Sequence, residues 1–558
     1  MKKNIVLLMF GLLTTLAINA QTIYDGVNLS AKDLNGTARF VGMGGAMGAL
    51  GGDISTINTN PAGIGIYRSS EANATFGFSS YATGSDYQGN QLKSKATFGD
   101  LDNLGFVLST QYSTQKILRY INFGFNYQRV KSFNRNMQMK GNLGDFSQTF
   151  YMANQAYGIT DWNNSYTNSE IGWLSALGYS GFLITDLINQ SDLNQLIASN
   201  PSFANYVPYK VNGVQVKDVN GQLMYVTPGD YVGMYSGADV VFKSQERGGI
   251  DALDFNVSLN LSDRFYLGMT VSAYTVDYSK YSIYGEDYRN DEWYKLQTWS
   301  KIEGAGFDIK LGAIFRPVET LPLRIGLAVH TPTFYDLSYK TSAVLDADVW
   351  NYLAIENEGK VPADAIGQYT IDTYDKVGDD MTRKFHLETP WTYNLSLGYT
   401  VGSSLALGAE YEYKDYSTML FDDGSNFYDG YQFENETTNM LKGTSTIRLG
   451  AEYKVIPQMA LRLGYNYCST IFEDNAYKNL PINSIQTDTD FTNTESLSNY
   501  TLGIGYRGSM FYADLAYKLT AFKAKFYPFD TFDGESLVQT TKLNNTRNQV
   551  LLTLGVRF

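Results

Sequence analysis

Cysteine, histidine and proline are scarce in this chain of 558 residues, at 1 Cys, 2 His and 12 Pro. The single thiol, Cys468, has no partner within the chain, so the fold is not held by a disulfide framework. Two histidines leave little for an imidazole-built metal site, and nothing in the sequence calls for a cofactor. Positive charge is in deficit as well. A formal net charge of −13 argues against a nucleic-acid backbone as partner. Beyond residue 20 there is no run of about 18 apolar residues, so no membrane helix is expected. No P-loop and no G-x-S-x-G element occurs. Gly503, Gly505 and Gly508 have the G-x-G-x-x-G spacing, but they lie between two strands where a dinucleotide site needs a helix. No catalytic residue is assigned, and the chain is not expected to be an enzyme.

What the chain does have is aromatic residues, 15% of the total with 44 Tyr, and 52 Gly. Such a composition can bury a core and is not that of a disordered chain. Residues 1–20 have the form of a secretory signal. Lys2 and Lys3 supply the positive end, Ile5 to Leu13 the apolar stretch, and Asn19-Ala20 a small-residue cleavage region. The apolar run is short for a membrane anchor. An exported chain without membrane helices is either a soluble secreted protein or a β-barrel, whose strands expose apolar residues only at every second position.

Alternation decides between these. Val550, Leu552, Leu554, Val556 and Phe558 share one face of the last segment, with Leu551, Thr553, Gly555 and Arg557 on the other. The same period of 2 recurs in Leu395–Thr400, Leu405–Lys414, Ile447–Lys454 and Phe265–Ser272. Fourteen such segments are found, at 71–83, 103–113, 119–133, 249–261, 264–284, 303–316, 322–342, 390–401, 404–418, 444–455, 458–469, 496–507, 509–524 and 546–558. An even number suits a closed antiparallel barrel. The links between them alternate short and long, with long ones expected at 84–102, 134–248, 285–302, 343–389, 419–443, 470–495 and 525–545. Short inner turns against long outer loops mark an outer-membrane barrel, whereas a soluble sandwich or propeller has no cause to keep that parity. Tyr411, Tyr413, Tyr465, Tyr467 and Tyr517 sit where aromatic girdles would meet lipid headgroups. On the inward face a glycine recurs in strand after strand, including Gly77, Gly105, Gly124, Gly268, Gly312, Gly408, Gly450 and Gly464. Those glycines either leave luminal room for a plug or ligand, or permit curvature.

Residues 22–70 do not alternate. Gly42, Gly44, Gly45, Gly48, Gly51 and Gly52 crowd a small-residue stretch that ends at Asn60-Pro61-Ala62, just before the first strand. Segment 21–70 is expected to fold into the lumen as a plug, since a wide barrel needs filling. With that tripeptide placed between a Gly-rich stretch and a 14-stranded barrel, the chain resembles the FadL/TodX family of outer-membrane transporters for hydrophobic compounds. The resemblance covers the first 50 or so mature residues by motif and the remainder by architecture. It implies that Asn60, Pro61 and Ala62 close the plug. It also implies a kinked strand that opens a lateral passage, the third strand with Gly124 being the candidate. The aromatic C-terminus, Phe558, resembles the signal read by the barrel-assembly machinery.

The long link 134–248 carries Trp173, Leu174, Leu177, Phe182 and Leu183. These residues are candidates for capturing an apolar ligand outside the membrane, or they form the loop's own core. The function expected is passive transport of hydrophobic molecules, such as long-chain fatty acids, by a monomeric barrel in contact with outer-membrane lipid. The alternatives are an accessory barrel of a protein-secretion system, a haem receptor using His330 or His386, or a structural surface protein. The acidic groups Asp53, Asp379-Asp380 and Asp422-Asp423 are expected to be solvated rather than to bind a metal ion.

Overall fold

A computed structural model of the chain describes residues 21–558, except 114, 200–205, 212–213, 219, 289–290, 319, 351–365, 423–435 and 531–537. The expected leader, residues 1–20, lies outside the described residues.

Fourteen antiparallel strands close into one barrel. They are β1 (Glu71–Tyr87), β2 (Asn90–Gln111), β3 (Leu118–Ser132, continued by Arg135–Asn142), β4 (Asp239–Leu261), β5 (Phe265–Asp287), β6 (Trp293–Phe315) and β7 (Leu323–His330, continued by Phe334–Trp350). The circuit continues through β8 (Met381–Glu388, continued by Thr392–Val401), β9 (Leu405–Asp415, continued by Leu420–Asp422), β10 (Gly443–Ile456), β11 (Met459–Cys468), β12 (Phe491–Arg507), β13 (Phe511–Tyr527) and β14 (Thr541–Arg557). Closure comes from β1 pairing with β14, from Glu71↔Arg557 to Asp86↔Lys542. No helix among the described residues is long and apolar enough to cross a membrane.

The outer wall is an apolar band edged by rings. In β8, Tyr399 and Tyr393 bracket Leu397 and Leu395. In β12, Tyr506 and Tyr500 bracket Ile504 and Leu502, and in β13 Phe511 and Tyr517 bracket Leu515. All of these side chains are exposed. Two aromatic levels about six residues apart frame roughly 20 Å of strand, close to the apolar band of a membrane barrel. Wide exposure of large apolar side chains on every wall strand has no aqueous explanation.

Two of the expected long links are not loops. Residues 84–102 form a hairpin in which β1 runs to Tyr87, β2 starts at Asn90, and Gln88-Gly89 turn the chain at φ 53° and 84°. Residues 285–302 are likewise mostly strand, since β5 ends at Asp287 and β6 begins at Trp293. β3 also continues to Asn142, and β4 already starts at Asp239, so the long insertion is shorter than 134–248. The cause is the same in each case. Above the hydrocarbon a strand needs no apolar face, so Lys93, Ser94 and Lys95 pair with β1 without any hydrophobic period to announce them.

Leu463 sits in the middle of the band on β11 and is 61% exposed. Leu463→Lys is expected to lower folding stability in lipid vesicles by about 2–4 kcal/mol, read as a shifted denaturant midpoint. An unchanged midpoint would mean that this face does not meet hydrocarbon.

Candidate functional site

Residues 21–70 lie inside the barrel, as the helices α1 (Ile23–Ser30) and α2 (Ala38–Gly42) and two short 3-10 turns, Ile54–Asn58 and Pro61–Ile66. The luminal glycines explain how they fit. Gly398, Gly408, Gly450 and Gly464 are register partners across β8, β9, β10 and β11. A methyl group added at Gly408 would fall 2.0 Å from Ala46 O, at Gly450 2.4 Å from Met43 O, and at Gly464 2.1 Å from Gly44 N. On the other side of the barrel, Gly268 faces Pro61 and Ala62, and Gly312 faces Asn60. Wall glycines and plug glycines therefore meet backbone to backbone. Gly44 and Gly45 turn the chain at φ 63° and 79°, which only glycine adopts without strain. Gly42 faces Gly503, Gly48 faces Ser396 and Glu410, and Gly51 lies against Gly63. Gly52 N donates to Gly63 O at 3.0 Å.

Asn60, Pro61 and Ala62 are fully buried against β4, β5 and β6. Asn60 Nδ2 donates to Ala313 O at 3.1 Å, and its Oδ1 accepts from Ala62 N at 3.1 Å. Pro61 O accepts from Ser258 Oγ at 2.9 Å. Asp53 caps the first 3-10 turn through Ser55 N and accepts from the Thr37 hydroxyl. Burial pushes its carboxyl upward, while the Arg39 guanidinium and these hydrogen bonds pull it back.

Sequence reasoning missed the charged ring that ties plug to wall. Arg39 pairs with Glu452, which also holds Arg462, which in turn reaches Asp514 at 2.5 Å. Glu410 accepts from Gly48 N and pairs with Arg448. Fully buried Lys310 lies 3.4 Å from Asp254 and donates to Asn58 Oδ1 at 3.2 Å. Removing one partner of such a buried pair costs about 3–5 kcal/mol, so Arg39–Glu452, the pair that joins plug to wall, resists displacement of the plug. The signal was present in the alternation, where Glu410, Glu412, Arg448 and Glu452 share the inner face with the glycines. His330 faces the same region and lies 3.3 Å from Thr59 O. His386 is on the outer wall beside Asp336. The two histidines are thus on opposite faces, and His330 borders the luminal chamber described below.

The wall is interrupted at β3. Gly124 itself is paired on both sides, to Val107 and Asn256, and faces Ile57 and Ile54 of the plug. The β2/β3 ladder stops four residues before Ser132, at Asn103↔Gln128. Beyond it Val130 is bulged out of the β4 register, and β3 breaks at Phe133-Asn134 before continuing. Above the break, side chains replace backbone pairing: Asn136 Nδ2 donates to Lys95 O and Gln138 Nε2 to Lys93 O, both at 2.9 Å. The plug fills the seam from inside. Asn35 Nδ2 donates to Asp102 Oδ1 on β2 at 2.6 Å and to Arg129 O on β3 at 2.9 Å, and Asn35 O accepts from Gln128. Asp33 N donates to the bulged Val130 O at 2.9 Å. On the outer face beside the ladder's end lies an apolar depression of about 1070 Å³, floored by Ala72 and Ala74 and rimmed by Leu104, Phe106, Phe125 and Phe255.

The outer mouth is roofed. Helices α3 (Gln148–Gln155) and α4 (Trp173–Ser180) of the insertion pack on the loop between β11 and β12. Trp173 N donates to Ser484 O at 2.9 Å, and Gln155 Nε2 to Leu480 O at 3.2 Å. Trp173, Leu174, Leu177 and Leu183 are completely buried in this roof, and half-buried Phe182 packs on Tyr369 at 4.6 Å. They form the insertion's own core rather than an open capture groove. Glu286, at the outer end of β5, anchors the start of α3. It accepts from Gln148 N at 2.7 Å, Ser147 Oγ at 2.6 Å and Tyr288 OH at 2.6 Å, and also from Tyr284 and Tyr294.

Between roof and plug a chamber of about 400 Å³ remains. Tyr24, Val27, Phe133, Phe472, Phe491 and Phe522 give it an apolar lining, with Tyr24 stacked on Phe472 at 5.0 Å. Lys32, Lys131, Lys280, Lys518, Glu412 and Asp488 give it a charged one.

No family model matches the chain, and no curated protein does. Its structural neighbours are FadL-type barrels. A FadL homologue of Pseudomonas aeruginosa superposes with a TM-score of 0.46 at 13% identity, covering 94% of this chain and 99% of its own. The P. putida toluene transporter TodX gives 0.45 at 11% with the same coverage. The Ralstonia pickettii toluene transporter TbuX gives 0.41 at 13%, again over 94% and 99%. The likeness is one of barrel outline, and the site above is built from this chain's own residues.

Two outcomes test the plug and the roof. Gly408→Val is expected to loosen the plug at a cost of about 1–3 kcal/mol, raising single-channel conductance in planar bilayers. Gly84→Ala, whose added methyl would meet only Asn544 O at 3.7 Å, is expected to leave conductance unchanged. Glu286→Leu strands several buried donors at about 1–3 kcal/mol each. It is expected to free the insertion, read as faster proteolysis between residues 143 and 238 in the otherwise intact barrel.

Proposed function

We propose that the protein is an outer-membrane conduit for hydrophobic molecules, long-chain carboxylates among them, and not an enzyme. The observation that carries this is the chamber between plug and roof, aromatic on one part of its wall and ionic on another. Burying an alkyl tail there is favourable by about 0.8 kcal/mol per methylene, and the lysines suit an anionic head. The glycine belt seals the chamber below, where plug and wall are in backbone contact. A straight axial path is therefore closed, and the β2/β3 seam is the place where the ladder is already broken and an apolar depression lies outside. Bare backbone groups in such a seam must be met by protein or water rather than lipid, and Asn35, Asn136 and Gln138 meet them here. Movement of the plug segment around Asn35 would open the seam sideways, so that an apolar cargo leaves toward hydrocarbon. Gradient and partitioning supply the drive. In this proposal the chain is exported by its leader, cut after Ala20, assembled through the strand ending in Phe558, and works as a monomer.

Native mass spectrometry of the detergent-exchanged protein is expected to show a co-purifying amphipathic molecule. Asn35→Ala is expected to speed entry of a fluorescent long-chain carboxylate into proteoliposomes. A ligand-free barrel holding a stable protein partner instead, with no uptake, would replace transport by an accessory role in secretion.

A further inference from the structure

Positive charge is unevenly matched on the outside of the wall. Toward their outer ends, strands β2, β3 and β4 expose Lys93, Lys95, Lys140, Lys243 and Arg247. Among the described residues none of the five has a carboxylate partner. Segments 91–97 and 136–142 contain no acid. The one acid of 241–247, Glu246, turns inward and accepts from Arg135 Nε at 3.1 Å. The cations form a single field. Gln138 is the register partner of Lys243, and its Nε2 donates to Lys93 O at 2.9 Å, so it stands between the two lysines. Arg247 Nη1 donates to Arg135 O at 3.2 Å, which lays the guanidinium against β3. The acids around the field are engaged elsewhere: Asp239 accepts from Asn142 Nδ2 at 2.9 Å, and Asp277 of β5 pairs with Lys301 at 3.5 Å. On β6 and β7, by contrast, the outward lysines are matched. Lys295 pairs with Asp346 at 3.1 Å, Lys340 with Glu303 at 2.9 Å, and Lys301 with Asp277. In a chain of net charge −13, five unmatched cations on three adjacent strands repel one another and attract an anion from outside.

We propose that this field binds the phosphate-bearing saccharide headgroup of an outer-leaflet glycolipid; the proposal rests on the outer-membrane reading above. Height on the wall selects a lipid. Tyr517 of the outer aromatic level pairs with Val550, Val550 with Phe78, and Phe78 with Gly99 of β2. Lys95 stands four residues further out than Gly99, about 13 Å along the strand, beside the headgroups rather than the hydrocarbon. Below the field the same face of β2, β3 and β4 carries Leu104, Phe125, Leu253 and Phe255, which rim the apolar depression. Acyl chains therefore have a concave bed beneath their own headgroup, which a free anion would leave empty. A second copy of the chain docked by this face would set cation against cation. Ammonium and guanidinium N–H groups donate to phosphate oxygens in charge-assisted hydrogen bonds. A headgroup held by Lys93 and Lys95 on β2 and by Lys140 and Lys243 on β3 and β4 bridges strands whose own ladder is interrupted. The lipid thus clips the seam from outside, where Asn35 bridges it from within.

The test reconstitutes the full chain into phosphatidylcholine vesicles containing a bis-phosphorylated glucosamine-disaccharide lipid or its dephosphorylated form. Lipid retained after extraction in mild detergent is counted by native mass spectrometry. The unmodified chain is expected to retain the phosphorylated lipid, to lose it as salt is raised, and to keep it in excess inorganic phosphate. Lys93→Gln, Lys95→Gln, Lys140→Gln, Lys243→Gln and Arg247→Gln together are expected to lower retention at least about tenfold. Lys295→Gln with Lys340→Gln, at matched sites, is expected to leave it unchanged. Equal retention of the two lipid forms by the unmodified chain overturns the proposal without recourse to any variant. So does displacement by inorganic phosphate, or an acidic protein or second copy held in place of the lipid. Those results leave the outer-membrane reading intact, whereas a chain that does not enter vesicles at all overturns both.

Discussion

The close approach of two backbones governs this molecule. A barrel of fourteen strands encloses more space than its own side chains fill, and here the space is taken by a peptide segment laid directly on the wall. That contact is possible only where neither surface carries a side chain. Gly398, Gly408, Gly450 and Gly464 form such a track across four neighbouring strands, and Met43, Gly44 and Ala46 of the plug rest on it. Glycine weakens strands elsewhere. In this wall the cost is offset by burial of the plug and by closure of the lumen.

Charge completes what shape begins. The interior pairs Arg39–Glu452–Arg462–Asp514 and Arg448–Glu410 contribute little net stability beyond what apolar residues of the same size would. Of these only Arg39–Glu452 joins plug to wall, and another seating of the plug would leave the buried Arg39 guanidinium without its carboxylate. At the β2/β3 seam Asn35 bridges Asp102 and Arg129 O by single hydrogen bonds, and Asp33 beside it pairs with Arg547 at 2.8 Å.

The roof follows a different logic. Trp173, Leu174, Leu177 and Leu183 are fully buried, each worth about 1.5–3 kcal/mol on burial, and they hold the insertion over the mouth. Glu286 fixes where the insertion begins, a buried carboxylate surrounded by donors. The chamber beneath is a consequence of two independently built surfaces, floor and ceiling, that do not meet.

Much of this was legible in the residues. The wall strands, their number, the two aromatic levels and the luminal side of the glycines follow from a period of 2, because hydrocarbon outside and protein inside impose opposite demands on neighbouring positions. The Gly42–Gly52 stretch could be assigned to a luminal segment because it lacks that period and precedes the first strand, and Asn60-Pro61-Ala62 by resemblance to the FadL/TodX family. Strand length above the membrane was not legible, since the pairing of Lys93 to Lys95 with β1 leaves no apolar trace in either strand. Nor was the partner of each glycine, the ring of ion pairs, the role of Asn35, or the burial of Trp173 and Leu177. Those depend on residues hundreds of positions apart, such as Ala46 and Gly408 or Trp173 and Ser484, meeting face to face. The sequence alone determined a closed wall with an occupied interior. Only the tertiary structure decided how the plug is seated and where the wall's ladder is interrupted, because backbone-to-backbone contact leaves no pattern along a single strand.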